Sequence, residues 1–383
     1  MWELPVQQAW DVPPTHDQKK ARMNRSIHSA YRDLLGYMPN RSGKALLRTV
    51  WKNRGHPSIF IDPRQHRLDG LGKGSVTFSL DFELAWAWRF SKGPGIDCTR
   101  IGMWERAYLP RVLSEFDWRG IPATWAIVGH LLLPGCRRRH DGVAHPEIPH
   151  IAPFETQWWR FDGPDWFAHD PCSDAAASPA WYAPDLFALI RDSPVGHEIA
   201  SHTFSHMGVG PYCSHEVAVA ELAATRNIMR ANGVEVETFI HPANDLGNFA
   251  ALVETGHSIY REYPSLDREI SLPVRRPDGL WKVPSAGCVT QGRETDRHRL
   301  SVQRRRLEVQ IDAAVATGLN AHFWLHPSIL PAQAEYVLFP ILDYCARLRD
   351  RGNLDVYTMK DLVRATRSLS PGRREREFDV HAA

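Results

Sequence analysis

The stretch at residues 197–206, His197-Glu198-Ile199-Ala200-Ser201-His202-Thr203-Phe204-Ser205-His206, sets two histidines four residues apart. A helical turn or a tight loop over this spacing presents both imidazoles on one side. Neutral imidazole is a common zinc ligand, and such a pair can fill two positions of a tetrahedral site. His202 and His206 therefore predict a metal site whose third, anionic ligand comes from another part of the chain.

An acidic pair upstream is the best source of that anion. The apolar run at residues 76–80 is typical of a strand, and Asp81-Phe82-Glu83 follows it. Two carboxylates two residues apart at the end of a strand point to the same side. A further apolar run, at residues 321–325, ends in His326. Three polar motifs, each associated with its own apolar run, predict one shared site.

The order of these motifs resembles that of the polysaccharide deacetylase family with its NodB homology domain. The resemblance rests on D-x-E at residues 81–83, H-T-x-x-H at 202–206 and Leu325-His326-Pro327, and it covers roughly residues 73–363. It implies a distorted (β/α) barrel with the site at the carboxyl ends of the strands. The family usually has two adjacent aspartates in its first motif, whereas this sequence has Phe82 and then Glu83.

The resemblance also implies roles for the motif residues. Asp81 matches the catalytic aspartate of the family, which leaves Glu83 to bind a metal with His202 and His206, although the spacing also permits Asp81 and Glu83 to exchange roles. His326 matches the general acid, which protonates the departing amine. The expected cofactor is one divalent metal ion, most simply zinc, and cobalt, nickel and iron accept the same ligands.

The segment 238–244 resembles the third motif of the family, which usually supplies an arginine that orients the catalytic carboxylate. The segment contains no arginine, so Arg261 and Arg275 are the candidates for that role. Asn244 is a candidate for substrate binding or for capping a loop. Trp86 is a candidate for the pocket floor, and Trp281 for either the wall that receives an acetyl methyl group or a core position.

Composition narrows the class of protein. The chain has 383 residues, of which 43% are hydrophobic, and a formal net charge of +2, so it is long enough for a large core and carries no charge excess that favours nucleic acid. Its six cysteines show no C-x-x-C spacing, which favours neither a zinc knuckle nor a disulfide framework. The sequence shows no signal-like start and no membrane span, so we expect a cytoplasmic protein.

Alternating strand and helix patterns predict an α/β fold with a parallel sheet, and periodicity alone fits an open sheet or a barrel. Residues 1–72 are expected to form a basic, helical extension and 73–363 the catalytic domain. Residues 136–183 form an aromatic-rich insertion, predicted either to contact sugar or to make a satellite core, and 364–383 a polar tail. Strands are predicted at 76–80, 123–128, 237–241, 257–260, 280–283, 321–325 and 354–357, and helices at 104–116, 215–231, 249–255, 300–316 and 334–349.

These observations lead to one main functional hypothesis and two alternatives. The first is a metal-dependent hydrolase that removes an N-acetyl group from an amino sugar in a glycan, a glycoside or a carrier-linked sugar. The second is a hydrolase of another carbon–nitrogen bond, in a cyclic imide or a formamide. The third is a carbohydrate-binding or scaffold protein that has lost catalysis, which the altered third motif favours. Oligomeric state is not indicated.

Overall fold

The computed structural model describes residues 70–92, 96–262, 270–290, 292 and 294–369. The predicted basic extension, 1–72, lies outside the described residues except for 70–72. The same holds for the predicted tail, of which only 364–369 are described. The last helix runs over Met359–Arg367 and so crosses the boundary expected at residue 363. Among the described helices, none combines the length and the apolar character that a membrane span requires.

Ten of the twelve described strands form one curled sheet, and the other two form a hairpin in the insertion. The sheet strands follow the order β10-β11-β1-β2-β5-β6-β7-β9-β8, with β12 also paired to β1. Their bounds are β1 Gly74–Phe82, β2 Thr124–Ile127, β3 Phe154–Glu155, β4 Arg160–Phe161, β5 Glu198–Ser201, β6 Thr238–Phe239, β7 Ile259–Glu262, β8 Val274–Arg275, β9 Trp281–Pro284, β10 Gly287–Cys288, β11 Asn320–Leu325 and β12 Leu354–Tyr357.

Helices follow most of the strands. Their bounds are α1 Cys98–Asp117, α2 Pro184–Arg191, α3 His215–Ala231, α4 Phe249–Glu254, α5 Arg297–Thr317, α6 Phe339–Asp350 and α7 Met359–Arg367. A short turn, Pro331–Gln333, and a π-helical turn, Ala334–Leu338, lead directly into α6. Short 3₁₀ helices occupy Leu84–Ala87, Gly129–Leu132 and Pro242–Asn244. All five predicted helices are confirmed, with ends that differ by a few residues.

Strand β1 is the centre of the sheet, and all nine of its residues are buried. It pairs in parallel with β11 on one edge and with β12 and then β2 on the other. Its side chains alternate, as the strand period requires. Val76, Phe78, Leu80 and Phe82 join the main hydrophobic core, whereas the intervening polar residues face the inside of the curl. The interior face of β1 therefore carries the polar groups from which the site is built.

The curl closes where β9 runs into β10. Only Ser285 and Ala286 separate these strands, and β9 pairs with β7 while β10 pairs with β11. The amide of Ala286 also donates to the carbonyl of His322 in β11. The two ends of the sheet are thereby brought together into an incomplete barrel. Periodicity left an open sheet and a barrel as alternatives, and the structure has the distorted (β/α) barrel.

Candidate metal centre

The two predicted histidine ligands lie on one loop that follows β5. Residues Glu198–Ser201 form this strand, which the sequence patterns did not predict, and the loop of 202–206 leaves its carboxyl end. Thr203 and His206 adopt positive φ angles of 58° and 56°, which turn the chain sharply. Within this loop the Nε2 atoms of His202 and His206 approach the same carboxylate oxygen, Oε1 of Glu83, at 2.9 and 3.0 Å.

Buried side chains of neighbouring segments hold this loop in place. Glu221 of α3 accepts hydrogen bonds from the amides of Phe204 and Ser205 at 2.8 and 2.9 Å. Arg89 donates to the carbonyl of Ser205 at 2.7 Å, and Trp166 of the insertion donates to the hydroxyl of Ser205 at 2.8 Å. Neither Glu221 nor Arg89 was predicted, because a glutamate in a helix and an arginine after a motif are ordinarily surface residues. Together these groups hold the two imidazoles in one orientation.

The ligand atoms fit a divalent metal ion. Nδ1 of His202 lies 2.8 Å from the carbonyl oxygen of Ile240, an acceptor that favours the tautomer in which Nε2 is free to bind a metal ion. Burial lowers the pKa of His206 to about 4, so that this imidazole is neutral at pH 7. Atoms from Glu83, His202 and His206 all lie within 4.8 Å of one another. Two neutral imidazoles and a carboxylate are a ligand set that zinc accepts while keeping an open position.

Glu83 is ionised and almost completely buried. Burial disfavours its charge, but the charge of His326 and the hydrogen bonds of both loop histidines outweigh burial and hold the pKa of Glu83 well below its usual range. Its backbone amide donates to Oε1 of Glu105 in α1 at 3.1 Å. Burial, together with the nearby charge of Glu83, raises the pKa of Glu105 to about 8. Glu105 is a contact of the site that the sequence patterns did not reveal.

Asp81 lies at the end of β1, beside Glu83 but with a different partner. Its Oδ1 and Oδ2 accept hydrogen bonds from Nη1 and Nη2 of Arg261, both at 2.7 Å. Arg261 is buried in β7 and also donates to Ser79 and to Asn244 at 3.1 and 3.0 Å. Burial opposes ionisation of Asp81, yet the Arg261 charge outweighs it and lowers the pKa of this carboxyl. Arg275, the other candidate arginine, is exposed on β8.

His326 follows β11 and completes the cluster. Its Nε2 lies 3.5 Å from Oε2 of Glu83, and its side chain is 32% exposed, against 3% for Glu83. Atoms from Asp81, Glu83 and His326 lie within 4.8 Å of one another. Burial would lower the pKa of His326, but the charges of Glu83 and Asp81 raise it to about 9. His326 therefore holds a proton at neutral pH and is the most accessible titratable group in this cluster.

Two of the three predicted substrate-binding residues lie elsewhere. Trp86 is 1% exposed, and its ring packs against Trp181 and Arg89 in the core beneath the insertion. Trp281 begins β9 and packs against α7, at the opposite end of the strands from the site. Trp281 thus occupies the core position that was its alternative role, and the pocket floor and the acetyl-binding wall stay predictions. Asn244 does lie beside the site, through its hydrogen bond with Arg261.

Three more polar residues have structural contacts. His322 is buried in β11 with Nε2 2.9 Å from the hydroxyl of Ser79. His197 and Glu198 lie at the start of β5. His197 contacts Asp117 at 2.9 Å, and Glu198 accepts from Thr124 at 2.7 Å. These contacts place both residues at the amino end of the strand, away from the loop histidines.

The aromatic insertion is packed rather than open. Trp158 is exposed, whereas six other aromatic side chains of the insertion are buried: Trp159, Phe161, Trp166, Phe167, Trp181 and Tyr182. Trp159 places its ring 5.5 Å from the His206 ring in an edge-to-face arrangement. Most of these buried rings belong to the main hydrophobic core and not to a separate satellite core, and Trp159 lies beside the loop histidines.

No family model and no curated protein matches this sequence. Solved structures do match it. One is a probable polysaccharide deacetylase from Pseudomonas aeruginosa PAO1, with a TM-score of 0.52 and 14% identity over 78% of this chain and 92% of that chain. Another is PuuE allantoinase, with a TM-score of 0.53 and 14% identity over 81% of this chain and 95% of that chain.

At these identities the matches show the fold. This chain has the NodB-like polysaccharide deacetylase fold, a distorted (β/α) barrel, as the motif order predicted.

Proposed function

We propose that this protein is a metal-dependent hydrolase that removes an N-acetyl group from an amino sugar, releasing acetate and a free amine. The observation that supports it most is the shared oxygen of Glu83, which two imidazoles approach at 2.9 and 3.0 Å beside a separate, arginine-bound carboxylate. Metal-dependent hydrolysis of an amide requires metal ligands and, beside them, an acid and a base that do not bind the metal.

In this proposal Glu83, His202 and His206 hold the metal ion, with zinc the first expectation. When bound, such an ion polarises a carbonyl oxygen and lowers the pKa of water. The carbonyl of Ile240 keeps His202 in the tautomer that binding needs. The Glu221 carboxylate accepts hydrogen bonds from the loop amides and so holds His206 in position beside His202.

Asp81 is proposed as the general base. The two hydrogen bonds from Arg261 fix the plane of its carboxylate and keep it ionised at neutral pH, so it is ready to accept a proton from the attacking water. Arg261 takes the part of the arginine that the third motif lacks, reaching Asp81 from β7. Asn244, which shares Arg261, is proposed to orient the substrate or the guanidinium.

His326 is proposed as the general acid. Its pKa of about 9 leaves it protonated at neutral pH, and it is more exposed than the carboxylates beside it. A proton delivered from its ring to the nitrogen of the collapsing tetrahedral intermediate lets the amine depart. The expected cytoplasmic location remains a prediction, and it favours a small or carrier-linked sugar over an insoluble polymer.

A second candidate is hydrolysis of another carbon–nitrogen bond, such as that of a cyclic imide. Two observations favour it: Phe82 stands where the deacetylase family has its second aspartate and Glu83 comes one residue later, and an allantoinase shares the fold with a TM-score of 0.53. The same base, acid and metal ligands would serve this reaction.

The test measures the reaction product and the bound metal in the same protein samples. Purified protein is assayed for acetate release from N-acetylated sugars and for ring opening of cyclic imides and ureides, alongside metal analysis. The His202→Ala variant removes a proposed ligand, and His215→Ala is its matched control, because His215 is 51% exposed and pairs with Glu254.

Loss of about one metal equivalent and of acetate release in His202→Ala, but not in His215→Ala, would support the proposed deacetylase activity. Ring opening without acetate release would favour the second candidate. Unchanged metal content in His202→Ala would contradict the proposed ligands.

A further inference from the structure

A second cluster of ligand-type side chains lies within the aromatic insertion and its junction with β2. Nε2 of His130 and Nε2 of His145 lie 3.1 and 2.9 Å from one oxygen, Oδ2 of Asp170. The sulfur of Cys136 lies 3.4 Å from the same oxygen. The four ligand atoms all lie within 4.8 Å of one another. Two imidazole nitrogens around one carboxylate oxygen is the arrangement seen at Glu83.

We propose that His130, Cys136, His145 and Asp170 bind a structural zinc ion, separate from the catalytic centre. Two histidines, a thiolate and a carboxylate are a complete tetrahedral ligand set, and sites with four protein ligands are structural rather than catalytic. The proposal does not depend on the proposed hydrolase activity, because none of these residues belongs to the Glu83 cluster.

The hydrogen-bonding groups around the cluster favour a cation. His130 has the carbonyl oxygen of Trp181 3.3 Å from Nδ1 as well as Asp170 at Nε2. A neutral imidazole at this fully buried position carries one proton and cannot donate on both sides. A metal ion at Nε2 of His130 removes this conflict, and the carbonyl of Trp181 at Nδ1 then fixes the tautomer. A carboxylate oxygen of Glu147 lies 3.4 Å from Nδ1 of His145 and orients that ring in the same way.

The carboxylate of Asp170 is held with one oxygen towards the cluster. Its Oδ1 accepts hydrogen bonds from the hydroxyl of Tyr182 at 3.1 Å and from the amide of Cys172 at 2.9 Å. Oδ2 is thereby directed at His130, His145 and Cys136. Orientation of a ligating carboxylate by outer hydrogen bonds is a regular property of protein metal sites.

Distances and charge also fit. Tetrahedral zinc separates nitrogen and oxygen ligands by about 3.3 Å and sulfur and oxygen by about 3.5 Å, so the present contacts need to open by only a few tenths of an ångström. Zinc with one thiolate, one carboxylate and two neutral imidazoles is electrically neutral, which suits a site in which His130 is 0% and Asp170 is 3% exposed. Binding releases the thiol proton of Cys136 and the imidazolium proton of His145.

The position of this cluster gives the ion a role. His130 belongs to the 3₁₀ helix Gly129–Leu132 after β2, whereas the other three ligands are spread through the insertion. An ion here ties the insertion to the barrel. The insertion in turn supplies Trp159, beside His206, and Trp166, which donates to Ser205. The structural ion thus stabilises the wall behind the catalytic loop.

Cobalt substitution tests the proposal on the full-length protein. Bound cobalt gives thiolate-to-metal charge-transfer absorption in the near ultraviolet only where sulfur is a ligand, and the Glu83 cluster contains no sulfur. We expect this absorption in the wild type and in His202→Ala, and total binding of about two equivalents in the wild type. Cys136→Ser and Asp170→Asn should each bind about one equivalent fewer, with the absorption lost in Cys136→Ser.

Cys98→Ser is the matched control, because Cys98 is also partly buried but begins α1. It should keep both the absorption and the stoichiometry. Absence of the absorption in folded wild-type protein would overturn the proposal without recourse to any variant. A disulfide between Cys136 and Cys172 in the purified protein, detected by thiol counting and mass spectrometry, would also overturn it. Acetate release is measured separately, and it tests the proposed hydrolase activity whether or not this absorption is present.

Discussion

Arg261 donates hydrogen bonds from its two terminal nitrogens to the two carboxylate oxygens of Asp81, each at 2.7 Å, although the two residues are 180 positions apart in the chain. A lysine can offer a charge at this position but not two parallel hydrogen bonds. We therefore expect Arg261→Lys to lower kcat/KM roughly 10- to 100-fold, as loss of one charged hydrogen bond predicts. Metal content should stay at the wild-type value, because Arg261 contacts none of the proposed metal ligands directly.

Arg275→Lys is the control for this substitution, since Arg275 is exposed on β8. It should leave kcat/KM unchanged. Equal activity in Arg261→Lys and wild type would mean that the plane of Asp81 does not need the arginine, and would weaken its assignment as the base.

The two carboxylates of the first motif should respond differently to neutral isosteric substitution. Glu83→Gln removes the charge that the loop histidines share, so we expect it to lose about one metal equivalent and activity together. Asp81→Asn should keep the metal and lose activity. Metal analysis and acetate release on the same samples measure both effects. The reverse pattern would exchange the roles of the two residues.

His326→Ala removes the proposed acid but no proposed metal ligand. General acid catalysis typically contributes about 100- to 10,000-fold, so turnover should fall within that range while metal content is maintained. His322→Gln is a useful comparison on the same strand, because His322 contacts Ser79 instead of Glu83. Turnover in His326→Ala equal to that of the wild type would eliminate His326 as the acid.

Trp281→Ala separates packing from substrate binding. Trp281 is 5% exposed in a small core with α7, so its loss should lower the free energy of unfolding by about 3 to 5 kcal/mol. The KM of the folded variant should match that of the wild type, since the ring lies at the far end of the strands. Urea unfolding and steady-state kinetics at low temperature measure the two quantities; a raised KM with unchanged stability would favour the substrate-binding alternative.

We expect the buried side chain of His257 to contribute to the loss of stability at acid pH. Burial, with a smaller contribution from the Arg226 charge, lowers the pKa of His257 to about 3 from an ordinary 6.5. The unfolded chain therefore binds a proton that the folded chain excludes, and stability present above pH 6.5 is lost as pH falls towards 3. At pH 5 this loss amounts to about 2 kcal/mol. In His257→Gln the fall in unfolding free energy between pH 7.5 and 5 should be smaller by that amount; identical falls would contradict the shift.

The sequence predicted those parts of the fold that a local pattern encodes. The apolar run before Asp81 and the one before His326 are strands, and both are buried in neighbouring positions of the sheet. Strand β5 was missed because Glu198–Ser201 contains a glutamate, an alanine and a serine, which carry no apolar pattern. Its burial comes from neighbours on both sides, which a single sequence does not show.

The supporting groups of the site escaped prediction for a related reason. Glu105 and Glu221 lie on helices, where an acidic residue is ordinarily solvated, and only the packing of those helices on the barrel brings them to the motif loops. The two alternatives for Trp281 differ in the end of the strand that they require. The residue begins its strand, whereas the site of a parallel barrel lies where strands end, which favours the core position over the acetyl-binding wall.

The interior polar face of β1 also constrains how the chain matures during synthesis. Asp81 emerges from the ribosome well before Arg261, and a buried carboxylate without its partner costs several kcal/mol. We therefore expect the carboxyl end of β1 to stay hydrated until β7 is available, whereas its core-facing residues Val76, Phe78 and Leu80 can be covered earlier. Closure of the barrel mouth over Asp81 is then coupled to the arrival of Arg261.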